Sequence, residues 1–125
     1  MSTLKVTNIA GLTGSSTSVI DGLIKAWSKN QQEGGFSVLD TFNASSITDF
    51  GTGSQTHNFT NNMDNANYSV SGAVDRRSGV RTPHFSLEHN PAPTTSGCRH
   101  EARANSGGGL NDCAHHCVMM IGDLA

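Results

Sequence analysis

Residues 40–60 read DTFNASSITDFGTGSQTHNFT, two polar extended runs joined by a turn punctuated with glycine. Just upstream, Phe36, Val38, Asp40 and Phe42 share one side of an extended chain, and Ser37, Leu39, Thr41 and Asn43 share the other. A period of two is what a half-buried strand produces. Ser45, Ile47 and Asp49 carry the alternation past Ala44. Asp49-Phe50-Gly51-Thr52-Gly53 then supplies residues without a Cβ, which take positive φ at little cost and so suit a tight reversal. Residues 55–60 return as the antiparallel partner. The stretch has no apparent catalytic constellation and predicts a rigid, surface-building module.

Composition supports that class. Ser, Thr, Asn and Gly make up 52 of the 125 residues, while charged residues make up 14%, well below the roughly 25% of an ordinary soluble domain. Leu, Ile, Val and Phe number 24, close to the level of about one-fifth at which disorder sets in when net charge is also high. The net charge is only −2, so self-repulsion does not hold the chain open. Large apolar side chains are few for the backbone that must be ordered, and association with identical copies would add the missing core. No run of 18 apolar residues indicates a membrane-spanning helix, and residues 1–10 lack the apolar centre of a secretory signal, so synthesis in a cytoplasm is expected. With a pI near 6.3 and scattered arginines, no basic stripe for nucleic acid is present.

The first 35 residues differ from the rest. Residues 5–9 fit a short strand and 11–17 a connector rich in turn formers. Two conformations fit residues 18–27. One is a helix capped by Ser18, with Ile20, Leu23, Ile24 and Trp27 along one stripe; the other is an extended arm running into a sheet. Either way Ile20, Leu23, Ile24 and Trp27 are the candidate docking or oligomer contacts. Gln31-Gln32-Glu33-Gly34-Gly35 marks the expected boundary between an arm, residues 1–35, and a β domain, residues 36–125. Candidate strands are 36–43, 45–49, 55–60, 66–74, 80–89, 97–105 and 113–121, separated mostly by turn-rich spacers. The expected fold is all-β, an antiparallel β-sandwich of about seven strands.

Cys98, His100, Cys113, His115, His116 and Cys117 form the one cluster with coordination potential. If 97–105 and 113–121 pair as a hairpin, a Cys2His2 or Cys3His zinc site is conceivable in some registers, although the spacing matches no zinc-finger pattern. The alternative is a set of small buried thiols and strand histidines satisfied by neighbours. Three cysteines is an odd number, which argues for free thiols in a reducing cytoplasm. No base, oxyanion site or carboxylate pair is certified by spacing, so no enzymatic activity and no cofactor is expected. Tyr68, Arg76, Arg77 and Asn90, which lie in or beside polar spacers, are the candidate receptor contacts, Tyr68 through a flat face with a polar handle.

Several words stand in order along nearly the whole chain: KVTNIA at 5–10, KAW at 25–27, residues 37–49 with FNASSITD at 42–49 at their centre, GTG at 51–53, NFT at 58–60, DNANYSVSG at 64–72 and IGD at 121–123. Together they resemble the distal domain of tail-fibre and related virion proteins of tailed bacteriophages, especially those of cyanobacterial phages. The chain departs from that pattern at 28–32, which is polar, and at 97–116, which is rich in Cys, His and Arg. The resemblance implies a virion structural protein, commonly a homotrimeric β-rich appendage that contributes to host-surface recognition; the tail is the expected location, other virion proteins are expected partners, and the amide and hydroxyl groups of loops 61–65, 75–79 and 90–96 suit a host-surface glycan. A capsid decoration protein is the alternative location.

Overall fold

The computed structural model describes residues 23–75, 83–88, 90–104 and 108–125. They form eight strands: β1 Ile24–Gln31, β2 Ser37–Phe42, β3 Ala44–Asp49, β4 Ser54–Phe59, β5 Ser69–Val74, β6 Pro83–Leu87, β7 Gly97–Ala104 and β8 His116–Ile121. Two antiparallel four-stranded sheets result, ordered β2-β1-β8-β5 and β3-β4-β7-β6, an all-β architecture consistent with a sandwich. The seven strands expected from the sequence correspond to β2 through β8. Among the described residues no helix is long and apolar enough to cross a membrane.

β1 departs from the expected arm. It lies inside the first sheet, paired with β2 on one side and β8 on the other, so the sandwich includes Ile24–Gln31, upstream of residue 36. Pairing on both edges satisfies the donors and acceptors that a short helix containing Gly22 would have to satisfy alone, and the extended alternative prevails. Ile20 lies outside the described residues.

β2 and β3 are one continuous pattern in the sequence but belong to different sheets. The chain turns the corner at Asn43, whose φ is 54°, a left-handed conformation that asparagine tolerates better than most residues. Its side chain fixes the corner: Nδ2 donates to the Lys25 and Asn61 carbonyls at 3.0 Å each, and Oδ1 accepts from the Asn61 amide at 2.7 Å. β2 is then an edge strand exposed along most of its length, not the half-buried strand that its alternation predicts.

The expected hairpin between the last two strands is also replaced. β7 lies in the second sheet between β4 and β6, and β8 in the first between β1 and β5. The connection between them crosses the sandwich, so their inward side chains meet face to face instead of side by side.

One half of the interior is apolar, built from Ala26, Phe59, Met63, Cys98, Val118 and Met120, with Tyr68, Val70 and Phe85 packed against it. Phe85 lies directly over Gly72, where a Cβ would overlap its ring. The other half is polar: Ser28, Asn30, Gln55, His57, His100 and His116 are all buried.

Candidate functional site

The outer faces of the two sheets differ in chemistry. On the second sheet the outward side chains are polar and mutually engaged. Asn58 Nδ2 donates to the hydroxyls of Ser46 and Thr48, Arg103 binds Glu101 through Nε at 2.8 Å, and the Arg99 guanidinium lies 4.3 Å from the centre of the Phe50 ring. Burial raises the Glu101 carboxyl above its usual range, the neighbouring Glu88 adds to the rise, and Arg103 opposes it.

On the first sheet the outward face carries a row dominated by large apolar side chains beside a more polar one. Register places Phe42, Trp27, Met119 and Ser71 in one row across β2-β1-β8-β5, with Asp40, Lys29, Cys117 and Ala73 in the next. Ile24 pairs with Ile121 in a third position of the same face. Ile24, Trp27, Lys29, Cys117 and Met119 line a shallow groove of about 400 Å3. Among the described residues, most of the exposed large apolar side chains, Leu23, Ile24, Val38, Leu39, Phe42, Met119 and Ile121, belong to or adjoin this sheet. Isolated exposed apolar residues are ordinary, whereas a contiguous patch marks an interaction surface.

The structure therefore gathers two of the expected docking residues, Ile24 and Trp27, with three that sequence reading did not name, Phe42, Met119 and Ile121. A signal for the last two was present. In HCVMMI at 116–121, Val118 and Met120 face inward while Met119 and Ile121 face outward, so the unbroken apolar run 117–121 signals apolar side chains on both faces of the strand. Leu23, just before β1, is exposed.

Of the receptor contacts expected from the sequence, Tyr68 and Asn90 lie among the described residues. Arg76 and Arg77 lie outside the described residues. Tyr68 turns its hydroxyl toward the loop before β7, its one proton shared between the carbonyls of Thr94 at 2.9 Å and Gly97 at 3.0 Å, with its ring edge against Phe59. Burial, together with the neighbouring Cys98, raises the phenol well above its ordinary pKa. Tyr68 thus ties the loop before β7 to the core and has no free polar handle to offer a ligand. Asn90 is exposed, its amide bonded to the Glu88 carboxylate at 3.2 Å.

The donors that a zinc site would need are dispersed. Cys98 is buried beside Tyr68, Cys117 looks out from the first sheet, and His115 is engaged by Asp75, Nδ1 to Oδ2 at 2.6 Å. Burial works against the charge on Asp75, but the His115 amide and ring outweigh it and hold the carboxyl below its usual range. Burial pushes the thiols of Cys98 and Cys113 up to about 12, so both stay protonated at neutral pH and are poor nucleophiles. Among the described residues, no three of the His, Cys, Asp and Glu side chains come together as a metal site.

What does converge is a histidine layer inside the sandwich. Asn30 opposes His116 in the first sheet, and Gln55 opposes His100 in the second. The two sheets touch there through His100 Nδ1 and His116 Nε2, 3.0 Å apart. All four residues are 0% exposed. Phe85 packs against both rings, at 5.7 and 5.8 Å between centroids. His57 follows on β4, its Nε2 3.2 Å from the Asn43 carbonyl. Burial holds all three imidazoles below their ordinary pKa. His116 falls to about 4, His100 lies well below the usual value with His116 and His57 adding to the effect of burial, and the Asn43 carbonyl partly offsets the fall for His57.

No family model, curated protein or solved structure matches this chain.

Proposed function

We propose that this chain is a non-enzymatic structural protein of a tailed-phage virion, a tail-fibre or tail-tip component that assembles from identical copies and contributes to host-surface attachment. The phage assignment rests on the resemblance of the sequence words. The assembly rests on one observation, the apolar outer face of the first sheet around Trp27, Phe42 and Met119.

The occupant of that face is a second copy of the chain. The row beside the apolar row carries one cation and one anion, Lys29 and Asp40, so copies gathered in a ring around this face can set the cation of one near the anion of the next. The polar half of the core leaves a single copy short of buried apolar surface, and covering the face supplies more, at roughly 25 cal/mol per Å2. Oligomers held this way present the same loops several times, so weak contacts to a surface glycan add through effective concentration.

Light scattering of the purified chain tests the assembly. The expected mass is that of a multimer, a trimer by the resemblance, and Met119→Asp is expected to reduce it to one copy while the circular dichroism of the sheets is unchanged. A wild-type mass of one copy at tens of micromolar would refute the interface. Labelling on the particle tests the location: density at the tail supports the fibre or tip, and density over the capsid lattice makes this a decoration protein.

A further inference from the structure

The histidine layer has a consequence independent of the chain's place in any particle. We propose that the His100–His116 contact is an acid-sensitive latch between the two sheets, which protonation in mild acid opens.

The geometry carries this. An N–H···N bond between two imidazoles requires one nitrogen to be an unprotonated acceptor, so a doubly protonated pair cannot make it. A single added proton must go to His100 Nε2 or His116 Nδ1, both buried and without a hydrogen-bond partner among the described residues. Each would then be an unpaired charge in a closed interior. Among the described residues, the surroundings of the pair offer no anion. From β1 the neighbour is Asn30, from β5 Val74, from β4 Gln55 and from β6 Leu87, with Phe85 over both rings. The charged partners that act on His100 are His116 and His57, both cations when protonated, and none is resolved for His116. Arg103 and Glu101, on the same strand as His100, bind each other on its other face. Asp75 and His115, next to Val74 and His116, likewise engage each other.

The sign follows from linkage. Above about pH 6.5 these histidines are neutral folded and unfolded, and contribute no pH dependence. As pH falls below that value the unfolded chain takes up protons that the folded chain refuses, until the folded pKa is reached, about 4 for His116. Over that window each refused proton weakens the folding equilibrium by up to about tenfold per pH unit. His100 and His116 together give up to about a hundredfold per unit, and His57 adds to it in the same direction. Asp75, held low, loses its contribution only below the ordinary carboxylate range of about 4. Glu101, held high, acts in the opposite sense within the window, so wild type must be compared with a variant.

The experiment is urea unfolding of the full chain from pH 8 to pH 4.5, beside the double variant His100→Gln, His116→Gln. The wild-type equilibrium constant is expected to be flat above pH 7 and to fall steeply below 6.5, and the variant to lose most of that slope. Equal slopes in the two proteins would overturn the latch. Imidazole proton NMR of the wild type gives a second readout that does not depend on the variant folding. The His100 and His116 signals are expected to stay at their neutral positions until unfolded signals emerge, and titration of either within the folded state near pH 6.5 would overturn it.

Discussion

Gly53→Ala is expected to lower the stability of the domain by about 3–5 kcal/mol, seen as an earlier urea midpoint with an unchanged slope. Gly53 ends the reversal between β3 and β4 with φ +66°, and a Cβ there would stand 2.5 Å from the Asn111 amide nitrogen and 2.7 Å from the Ala102 and Asn111 carbonyl oxygens. Those are backbone atoms, which cannot swing aside as a side chain can. They are also engaged. The Gly53 carbonyl accepts from Ala102 at 2.7 Å, its amide donates to the Asp112 carboxylate at 2.8 Å, and the Asn111 amide donates to the Ala102 carbonyl at 2.9 Å. Making room for one methyl group means separating the hairpin turn from both β7 and the segment that leads into β8. Gly51 is the control. It also has positive φ, +95°, but an added Cβ there meets nothing within 4 Å, so Gly51→Ala carries only the conformational term of about 1–2 kcal/mol. Equal losses at the two positions would mean that crowding at Gly53 contributes nothing.

Phe59→Ala is expected to cost about 3–5 kcal/mol, whereas Phe42→Ala changes the stability of a single copy by less than about 0.5 kcal/mol. Phe59 is 5% exposed and Phe42 51%. Phe59 closes the apolar half of the core, with its ring 5.4 Å from that of His57 and edge-on to Tyr68 at 5.6 Å. Removing it leaves a void bounded by a tyrosine whose hydroxyl is anchored on two carbonyls and by buried Met63, groups with little freedom to collapse inward. Phe42 stands in the outer row with Trp27 and Met119. Its loss is expected to appear in the association equilibrium, so the two substitutions separate folding from assembly in one pair of measurements. Comparable losses of stability would show that Phe42 is packed within a single copy.

The β3–β4 hairpin was legible because its glycines and its alternation agree, and local chemistry alone decides it. Pairing of the last two strands was not. Residues 97–104 and 116–121 are close in number and both strand-like, but a connection that crosses the sandwich is no longer in sequence than one that stays in a sheet. Asn43 escaped notice for a related reason: the alternation of side chains runs smoothly through it, and only its backbone reveals the change of sheet. The histidine layer was hidden by lack of contrast. On β4, Ser54, Thr56 and Asn58 alternate with Gln55, His57 and Phe59, and when both sets are mostly polar the period of two cannot say which one faces inward. On the apolar face, Ile24 and Trp27 were expected on an arm and lie instead on β1 inside the sheet, because one of β1's two neighbours, β8, lies far along the chain.

The polar half of the interior also shapes how the fold responds to temperature. Exposure of apolar surface on unfolding raises the heat capacity by about 0.45 cal/K/mol per Å2, and exposure of polar surface lowers it by about 0.26. Asn30, Gln55, His57, His100 and His116, all fully enclosed, contribute on the negative side where most domains contribute on the positive. Unfolding should therefore show a heat-capacity increment below the usual 12–15 cal/mol/K per residue. A small increment flattens the curve of stability against temperature, so a fold with a modest maximum holds much of it from cold to warm surroundings.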